Sequence, residues 1–583
     1  MTNETPAGTE ALFTGAENAR RHGELDRAAE HYRSLLAQMP GHARGLNGLG
    51  LTLHEQGKPE DAIKFYVQSL RALPDQADVL LNFGLSLKKL DRPDLAIQAF
   101  RESVRCAPEN VESLKALGQT LQTKGQMEEA VAAYRQALTI APDHAEILAL
   151  LVYLLRQNCD WNWLAELEKR LLCLVREGAP GVPPFIILTL DSAPADQLAA
   201  GRAWSRKYER PTSARPAEVT GGARPKDRLR IGYLSADYHE HATAYLVAEL
   251  FERHDRTRFE IFAYSSGPDD PGPMRQRLQK GVDRFVRVGG ISDQEAAAKI
   301  RADEIDILVD LKGYTKGTRA GILALRPAPV QASFLGYPGT SGADFIDWLI
   351  ADPIIIPPEH RAYYSEALAL LPHCYQPNDS KRPIADPSPS RADHGLPDDG
   401  FVFCCFNSSY KITPTYFDIW MRLLRNVPGS VLWLFASNPW AELNLRSHAV
   451  DAGIGAHRLV FARDLPLAKH LARYRRADLF LDTLPYTGHT TVSDALWTGL
   501  PAVTAAGNTF AGLVAASLLT AIGLPELVAP SPADYEAMAL RLALTPGQLA
   551  DVRARLAQNR LTTPLFNVER YTRDLEALYL KMV

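Results

Sequence analysis

Across residues 9–178 apolar positions recur with a helical period, and the segments that carry them repeat every 34 residues. Residues 43–76, 77–110 and 111–144 align without a gap. Gly50, Gly84 and Gly118 share one position, Leu53, Leu87 and Leu121 a second, and Ala62, Ala96 and Ala130 a third. Tyr66, Phe100 and Tyr134 share a fourth, and Pro74, Pro108 and Pro142 close the units. Residues 9–42 fit as a degenerate first copy through Ala28, Tyr32 and Pro40. The pattern predicts two antiparallel helices per unit, with small residues where the pair crosses, an aromatic filling the hole and proline at the break. Such a unit cannot bury its apolar face alone, so the units stack into an α-helical solenoid with a concave groove. Residues 145–178 keep the period but lose the Gly and Pro marks. They read as a capping or transition unit, with Trp161 and Trp163 covering the last repeat.

Beyond that point the pattern changes. Residues 179–227 are rich in Pro, Ala and Gly and read as a transition, with 209–227 a linker. Short apolar runs at 229–234, 259–264, 307–309 and 330–334 then alternate with helix-length segments through a block at 228–375. A Pro/Ser/Asp stretch at 376–399 reads as a second linker. A further block at 400–583 has runs at 401–406, 431–435, 459–461, 479–481 and 502–503. Alternation of this kind predicts α/β architecture: two doubly wound, Rossmann-like domains with parallel sheets. Ligands of such sheets sit at the carboxyl ends of the strands, so a cleft between the two is the expected site.

Composition narrows the classes. The 583 residues are too many for one core, and a formal charge of −4 offers no footprint for nucleic acid. The first ten residues are polar, and no apolar run reaches the roughly 18 residues of a membrane span. The longest, near 510–524, is interrupted by Gly and polar positions. Six cysteines show no Cys-x-x-Cys spacing, which fits reduced thiols in a cytoplasmic protein.

The sharpest chemical signal lies at 477–504. A strand ends at Asp482, a Pro/Gly turn follows, and His489, Thr490 and Thr491 open a helix. Free N–H groups and two hydroxyls there suit a diphosphate; the alternative is plain capping, with Thr491 and Asp494 spaced as a capping box. Lys411 follows the run 401–406 and could neutralise a departing anion, or be a solvated loop lysine. His241 could take a proton from a hydroxyl, although His239 competes by spacing. The glycines of 336–342 permit close approach to a ligand, or simply a tight turn. No Asp-x-Asp occurs, which favours a metal-free design with Lys411 and residues 489–491 supplying positive field.

The repeats resemble tetratricopeptide repeats, and the whole chain resembles the O-linked N-acetylglucosamine transferases, glycosyltransferase family 41. The resemblance rests on KGYTKGTR (312–319), RPAPVQASFLGYPGTSG (326–342), FNSSYKITP (406–414), LDTLPYTGHTTVSDALW (481–497) and PLFNVERYT (564–572). It implies a GT-B arrangement, inversion at the anomeric carbon, UDP-GlcNAc as donor, no metal or other cofactor, and acceptor proteins or peptides held by the repeat groove. By position, His241 matches the histidine proposed as general base and Lys411 the lysine on the UDP phosphates. His489, Thr490 and Thr491 match the diphosphate turn, Asp494 the ribose contact and His470 the histidine stacked on uracil. Leu465 and Arg473 lie beside it, and Gly336 and Pro338 fall in the loop touching the sugar. Thr315, Lys316 and Asn82 are carried as acceptor-side positions. Three departures stand out: Ser408 replaces a glutamine, Leu467 a nucleotide-contacting lysine, and Asn82 alone remains of an asparagine ladder. Two competing readings are a Spindly-type protein O-fucosyltransferase using GDP-fucose and a non-catalytic repeat scaffold. Relatives of the first kind carry threonine in place of the GHTT histidine and lack the GYPGTSG wording, and this chain keeps both.

Overall fold

The computed structural model describes residues 6–208, 228–435 and 438–583; the expected linker at 209–227 lies outside them. The chain separates into two compact units, Met1–Leu154 and Leu155–Val583, with the boundary inside the helix Ala145–Gln157.

The first unit is a run of helix pairs, Pro6–Arg21 with Leu25–Gln38 and Ala43–Glu55 with Pro59–Ala72. Ala77–Lys89 with Pro93–Cys106 and Val111–Thr123 with Met127–Ile140 follow. The Gly/aromatic pattern has a direct cause here. A Cβ on Gly50, Gly84 or Gly118 would stand 2.6, 2.4 or 2.6 Å from the ring of Tyr66, Phe100 or Tyr134, so the ring fits only over glycine. The Asn82 amide donates to Asn47 Oδ1 of the preceding unit at 3.4 Å, although Asn47 falls one position off the 34-residue register.

The second unit carries two all-parallel sheets. The first comprises β1 (Leu229–Ser235), β2 (Phe259–Ser265), β3 (Arg284–Arg287), β4 (Ile307–Asp310), β5 (Val330–Ser333), β6 (Trp348–Ala351) and β7 (Ala367–Leu370), in spatial order 3-2-1-4-5-6-7. The second comprises β8 (Val402–Cys405), β9 (Val431–Phe435), β10 (Leu459–Ala462), β11 (Leu479–Leu481), β12 (Ala502–Ala505) and β13 (Val528–Ala529), in order 10-9-8-11-12-13. Each order reverses once, between β1 and β4 and between β8 and β11. The crevice at such a reversal is where doubly wound sheets bind ligands.

Three segments tie the sheets together. The C-terminal helix Val568–Met582 returns to the first domain, where Tyr579 meets the Tyr233 hydroxyl at 2.9 Å and Glu576 meets His254 Nδ1 at 2.8 Å. The segment expected as a linker at 376–399 buries Gln376, Asn378, Asp379 and Arg382. Residues 179–208 form the helices Pro184–Leu188 and Pro194–Ser205, and the second packs so closely that a Cβ on Gly201 would meet the Ser341 carbonyl at 2.9 Å. Trp161 and Trp163 do not share the covering role expected of them. Trp161 stacks on His448 at 4.2 Å, while Trp163 is 75% exposed. The cause is the backbone of 157–159, whose carbonyls are held by Asn438, Asn444 and His448 of the second sheet domain.

Candidate functional site

β8 ends at Cys405, and the chain turns through Asn407 into the short 3-10 turn Ser409–Lys411. That turn is pinned from outside: Ser409 Oγ donates to the Gln157 carbonyl at 2.6 Å and Arg156 Nη1 to the Tyr410 carbonyl at 3.2 Å. Lys411 is therefore not a solvated loop lysine. It is 8% exposed, its Nζ donates to the Thr487 carbonyl at 2.8 Å and lies 4.0 Å above the Tyr486 ring centre. Among the described residues no carboxylate forms an ion pair with it. Burial outweighs the pull of Asp482 and lowers its pKa to about 8.

β11, beside β8, is followed by Asp482, which organises the next turn. One of its oxygens accepts from Gly488 N at 2.6 Å and Asn407 Nδ2 at 3.0 Å, the other from Thr504 Oγ1 at 2.7 Å. A side chain on Gly488 would strike Thr491 Oγ1 at 2.6 Å and Asn407 Oδ1 at 2.8 Å. The helix Thr490–Thr498 starts with His489 at the N-cap position, where no side-chain cap bond is made. The capping-box alternative is thereby excluded: Thr491 Oγ1 donates to Asn407 Oδ1, and Asp494 is engaged by Arg382. The His489 ring stacks on Tyr486 with centroids 4.9 Å apart, and burial together with Lys411 keeps it neutral. A buried ammonium thus sits beside a helix start that the His489 side chain leaves uncapped. That combination binds anions.

One turn on, Asp494 is paired with Arg382, both almost fully buried. Burial raises the carboxyl to about 6 against the pull of that arginine. His470 lies in the helix Leu467–Tyr474, its Nδ1 accepting from the Arg473 guanidinium and its Nε2 4.0 Å from Asp494. Burial and Arg473 lower it to about 3, so the ring is neutral. The Arg473 guanidinium lies 4.7 Å over Phe406. Leu465 is 38% exposed at the rim.

The reversal point of the first sheet holds a second cluster. Asp237, two residues past β1, receives both bonds of Lys312 Nζ, at 2.9 and 2.8 Å, from two residues past β4. His241 is 40% exposed, with Nδ1 3.5 Å from Asp237; burial lowers its pKa. Asp310 accepts from Lys312 N and Gly313 N, both at 2.9 Å, and is raised to about 6 by burial. Thr315 Oγ1 donates to the Lys312 carbonyl, and Lys316 is exposed. The glycines of 336–342 serve packing: a Cβ on Gly336 would fall 1.9 Å from the Leu311 carbonyl and one on Gly342 2.3 Å from Arg202 N. Pro338 is buried in this loop.

The fold brings Lys411, His489, Thr490 and Thr491 to one reversal point, with Asp494, His470 and Arg473 a turn away. His241, Gly336 and Pro338 belong to the first sheet's loops, and Asn82 to the repeat unit. Arg382, Asn407, Asp482, Tyr486, Asp237 and Lys312 receive no role from sequence. Four of them lie inside the quoted motifs, but their partners are distant in the chain.

Two doubly wound sheets with anion-binding geometry at a reversal point, preceded by helical repeats, define the class to which comparisons can be made. The description "Glycosyl transferase family 41" matches residues 216–386 and 384–575, and a tetratricopeptide-repeat description matches 13–77 and 81–145. The chain belongs to glycosyl transferase family 41. It is 35% identical over 454 residues to a probable UDP-N-acetylglucosamine–peptide N-acetylglucosaminyltransferase, SEC, of Arabidopsis thaliana, covering 74% of this chain and 46% of that protein. It is 32% identical over 397 residues to a protein of Solanum lycopersicum with the same enzyme description, SPINDLY, covering 66% and 41%. A point mutant of the Thermobaculum terrenum O-GlcNAc transferase shares its fold at TM-score 0.67 and 28% identity, covering 100% of this chain and 98% of that one. The chain spans less than half the length of these curated relatives. Among the described residues no helix is long and apolar enough to cross a membrane.

Proposed function

We propose that this protein is an inverting glycosyltransferase moving N-acetylglucosamine from UDP-GlcNAc to Ser and Thr hydroxyls of proteins, without a metal. The observation that carries this reading is the buried Lys411, an ammonium with a neutral carbonyl as its hydrogen-bond partner beside the opening of helix Thr490–Thr498. Holding a cation there is costly unless an anion joins it. Membership of family 41 and the enzyme descriptions of its relatives support UDP-GlcNAc as the donor.

In the proposed displacement the hydroxyl oxygen bonds to the anomeric carbon as the carbon–phosphate oxygen bond breaks, and UDP leaves as an anion. Lys411 and the N–H groups opening the helix at 490 meet the charge that grows on it. Asp494, held by Arg382, and His470 are assigned to the nucleoside, with Arg473 and Leu465 beside them. Gly336 and Pro338 are assigned to the sugar loop. His241 is assigned to the acceptor hydroxyl, whose proton it takes only when its solvent-side nitrogen carries a free lone pair. Thr315, Lys316 and Asn82 are assigned to the acceptor protein, which the repeats would hold. We place the protein in the cytoplasm, in keeping with six unpaired cysteines.

The test is incubation with a panel of nucleotide sugars, followed by mass spectrometry of released nucleotide and protein, alongside thermal shifts with UDP and GDP. UDP stabilisation and a HexNAc increment are expected. Stabilisation by GDP alone, with fucose transferred, would reassign the donor. No transfer at all from any donor would leave a repeat scaffold.

A further inference from the structure

We propose that Lys312 is a positioning residue that holds Asp237 away from His241, so that the His241 ring rests with its proton on Nε2. The inference rests on the reading of His241 as the group facing the acceptor hydroxyl and specifies the form in which it waits. Two groups compete for Nδ1. The Thr243 backbone N–H donates to it at 3.2 Å, which requires a lone pair there. Asp237 Oδ2, at 3.5 Å, would instead call for a proton there.

Lys312 decides between them. Its ammonium binds both Asp237 oxygens at 2.9 and 2.8 Å, in a pair less than 10% exposed on either side. Both Asp237 oxygens are thereby directed at the ammonium, Oδ2 also faces the Thr243 hydroxyl at 3.5 Å, and its 3.5 Å separation from His241 Nδ1 is longer than a formed hydrogen bond. Asp310 fixes the backbone of Lys312 and Gly313, from which the Lys312 side chain reaches Asp237. The other charged or titratable neighbours do not change the balance. His239 stands ring to ring at 5.6 Å, and Glu240 is occupied by the Tyr245 hydroxyl and Met274 N. With Nδ1 accepting, a neutral ring bears its proton on Nε2. In that form His241 offers a hydrogen bond to a ligand oxygen. It becomes a proton acceptor only once Asp237 is released to hold Nδ1–H.

The experiment is histidine-labelled NMR of the full chain, with the His241 ring assigned by its loss in His241→Asn. Wild type should show the Nε2–H tautomer and a titration midpoint below about 6.5, the ordinary histidine value. In Lys312→Met, Asp237 is freed, the ring should turn to Nδ1–H, and the midpoint should rise by about one unit, a tenfold change in proton affinity. In Lys312→Met/Asp237→Asn the rise should vanish. An Nδ1–H tautomer in wild type, or an unmoved midpoint in Lys312→Met, overturns the proposal; the wild-type tautomer decides even if the variants fail to fold. The readout needs no donor sugar. A protein that transfers nothing therefore refutes the glycosyltransferase reading and leaves this one to the spectra.

Discussion

Replacing Lys411 with methionine keeps the stem and removes the charge, and the structure sets the size of three effects. Burial brings this ammonium from 10.5 to about 8, so holding it charged costs the folded protein about 3 kcal/mol. Its loss leaves the Thr487 carbonyl without that donor, a penalty of about 1–3 kcal/mol. Lys411→Met should then be as stable as wild type at pH 7, or more stable by up to about 2 kcal/mol. Turnover should behave oppositely. Losing a positioned donor to a developing anion costs about 10²–10³ in rate, and a full charge in a dry site costs more.

The depressed pKa also has a pH signature. The unfolded chain holds the proton more tightly than the folded one, so stability should rise as pH climbs from about 8 to 10.5. That rise should be missing in Lys411→Met. UDP, binding the protonated form, should lose roughly tenfold in affinity between pH 7 and 9, and its binding should take up a proton near pH 8–9. Calorimetry in buffers of different ionisation enthalpy measures that uptake. Retention of more than about a tenth of wild-type turnover by Lys411→Met, a difference of only ~1.4 kcal/mol in barrier, would refute the reasoning. A UDP affinity flat from pH 7 to 9 would do the same.

Arg382→Leu leaves Asp494 buried without its partner, so urea unfolding should show a loss of about 3–5 kcal/mol, largely recovered in Arg382→Leu/Asp494→Leu. Turnover of UDP-GlcNAc should survive EDTA; loss on chelation, restored by Mn²⁺, would count against the metal-free reading. Deleting residues 1–110 should spare donor hydrolysis and cut transfer to protein, as mass spectrometry of both products would report. Undiminished protein transfer would remove the acceptor role from the repeats.

Sequence reasoning locates nine of the thirteen described strands and misses β3, β6, β7 and β13. β3 is Arg284–Arg287, an edge strand with charge at both ends and both ends exposed. β7 and β13 are also edges, four and two residues long. β6 is central, but its four residues run through Asp352-Pro353 into a second apolar stretch, 354–356, with no alternation to mark where the strand stops. The repeats are readable in full because their contacts are local: Gly50 meets Tyr66, Gly84 meets Phe100 and Gly118 meets Tyr134, each at the same spacing.

The site divides along the same line. Lys411, His489, Thr490 and Thr491 can be picked out because each follows a strand end closely, and residues after strand ends line the crevice. What holds them cannot. Asn407 reaches Asp482 across 75 positions, Lys312 reaches Asp237 across 75, and Arg382 reaches Asp494 across 112. The first two pairings follow from strand order alone. Parallel sheets place the residues after β8 beside those after β11, and the residues after β1 beside those after β4, because each order reverses there. Apolar runs say where strands lie but not which are neighbours, so the motif 406–414 and the motif 481–497 look independent until the order is known. Arg382 is the harder case. It lies in a Pro/Ser/Asp stretch whose composition signals exposure, yet it is buried because Asp494, itself taken out of water, demands a cation beside it. Other buried carboxylates are met by N–H and hydroxyl donors, as Asp310 and Asp482 are, so the need for an arginine beside Asp494 is read from the fold, in the segment that crosses between the two sheets.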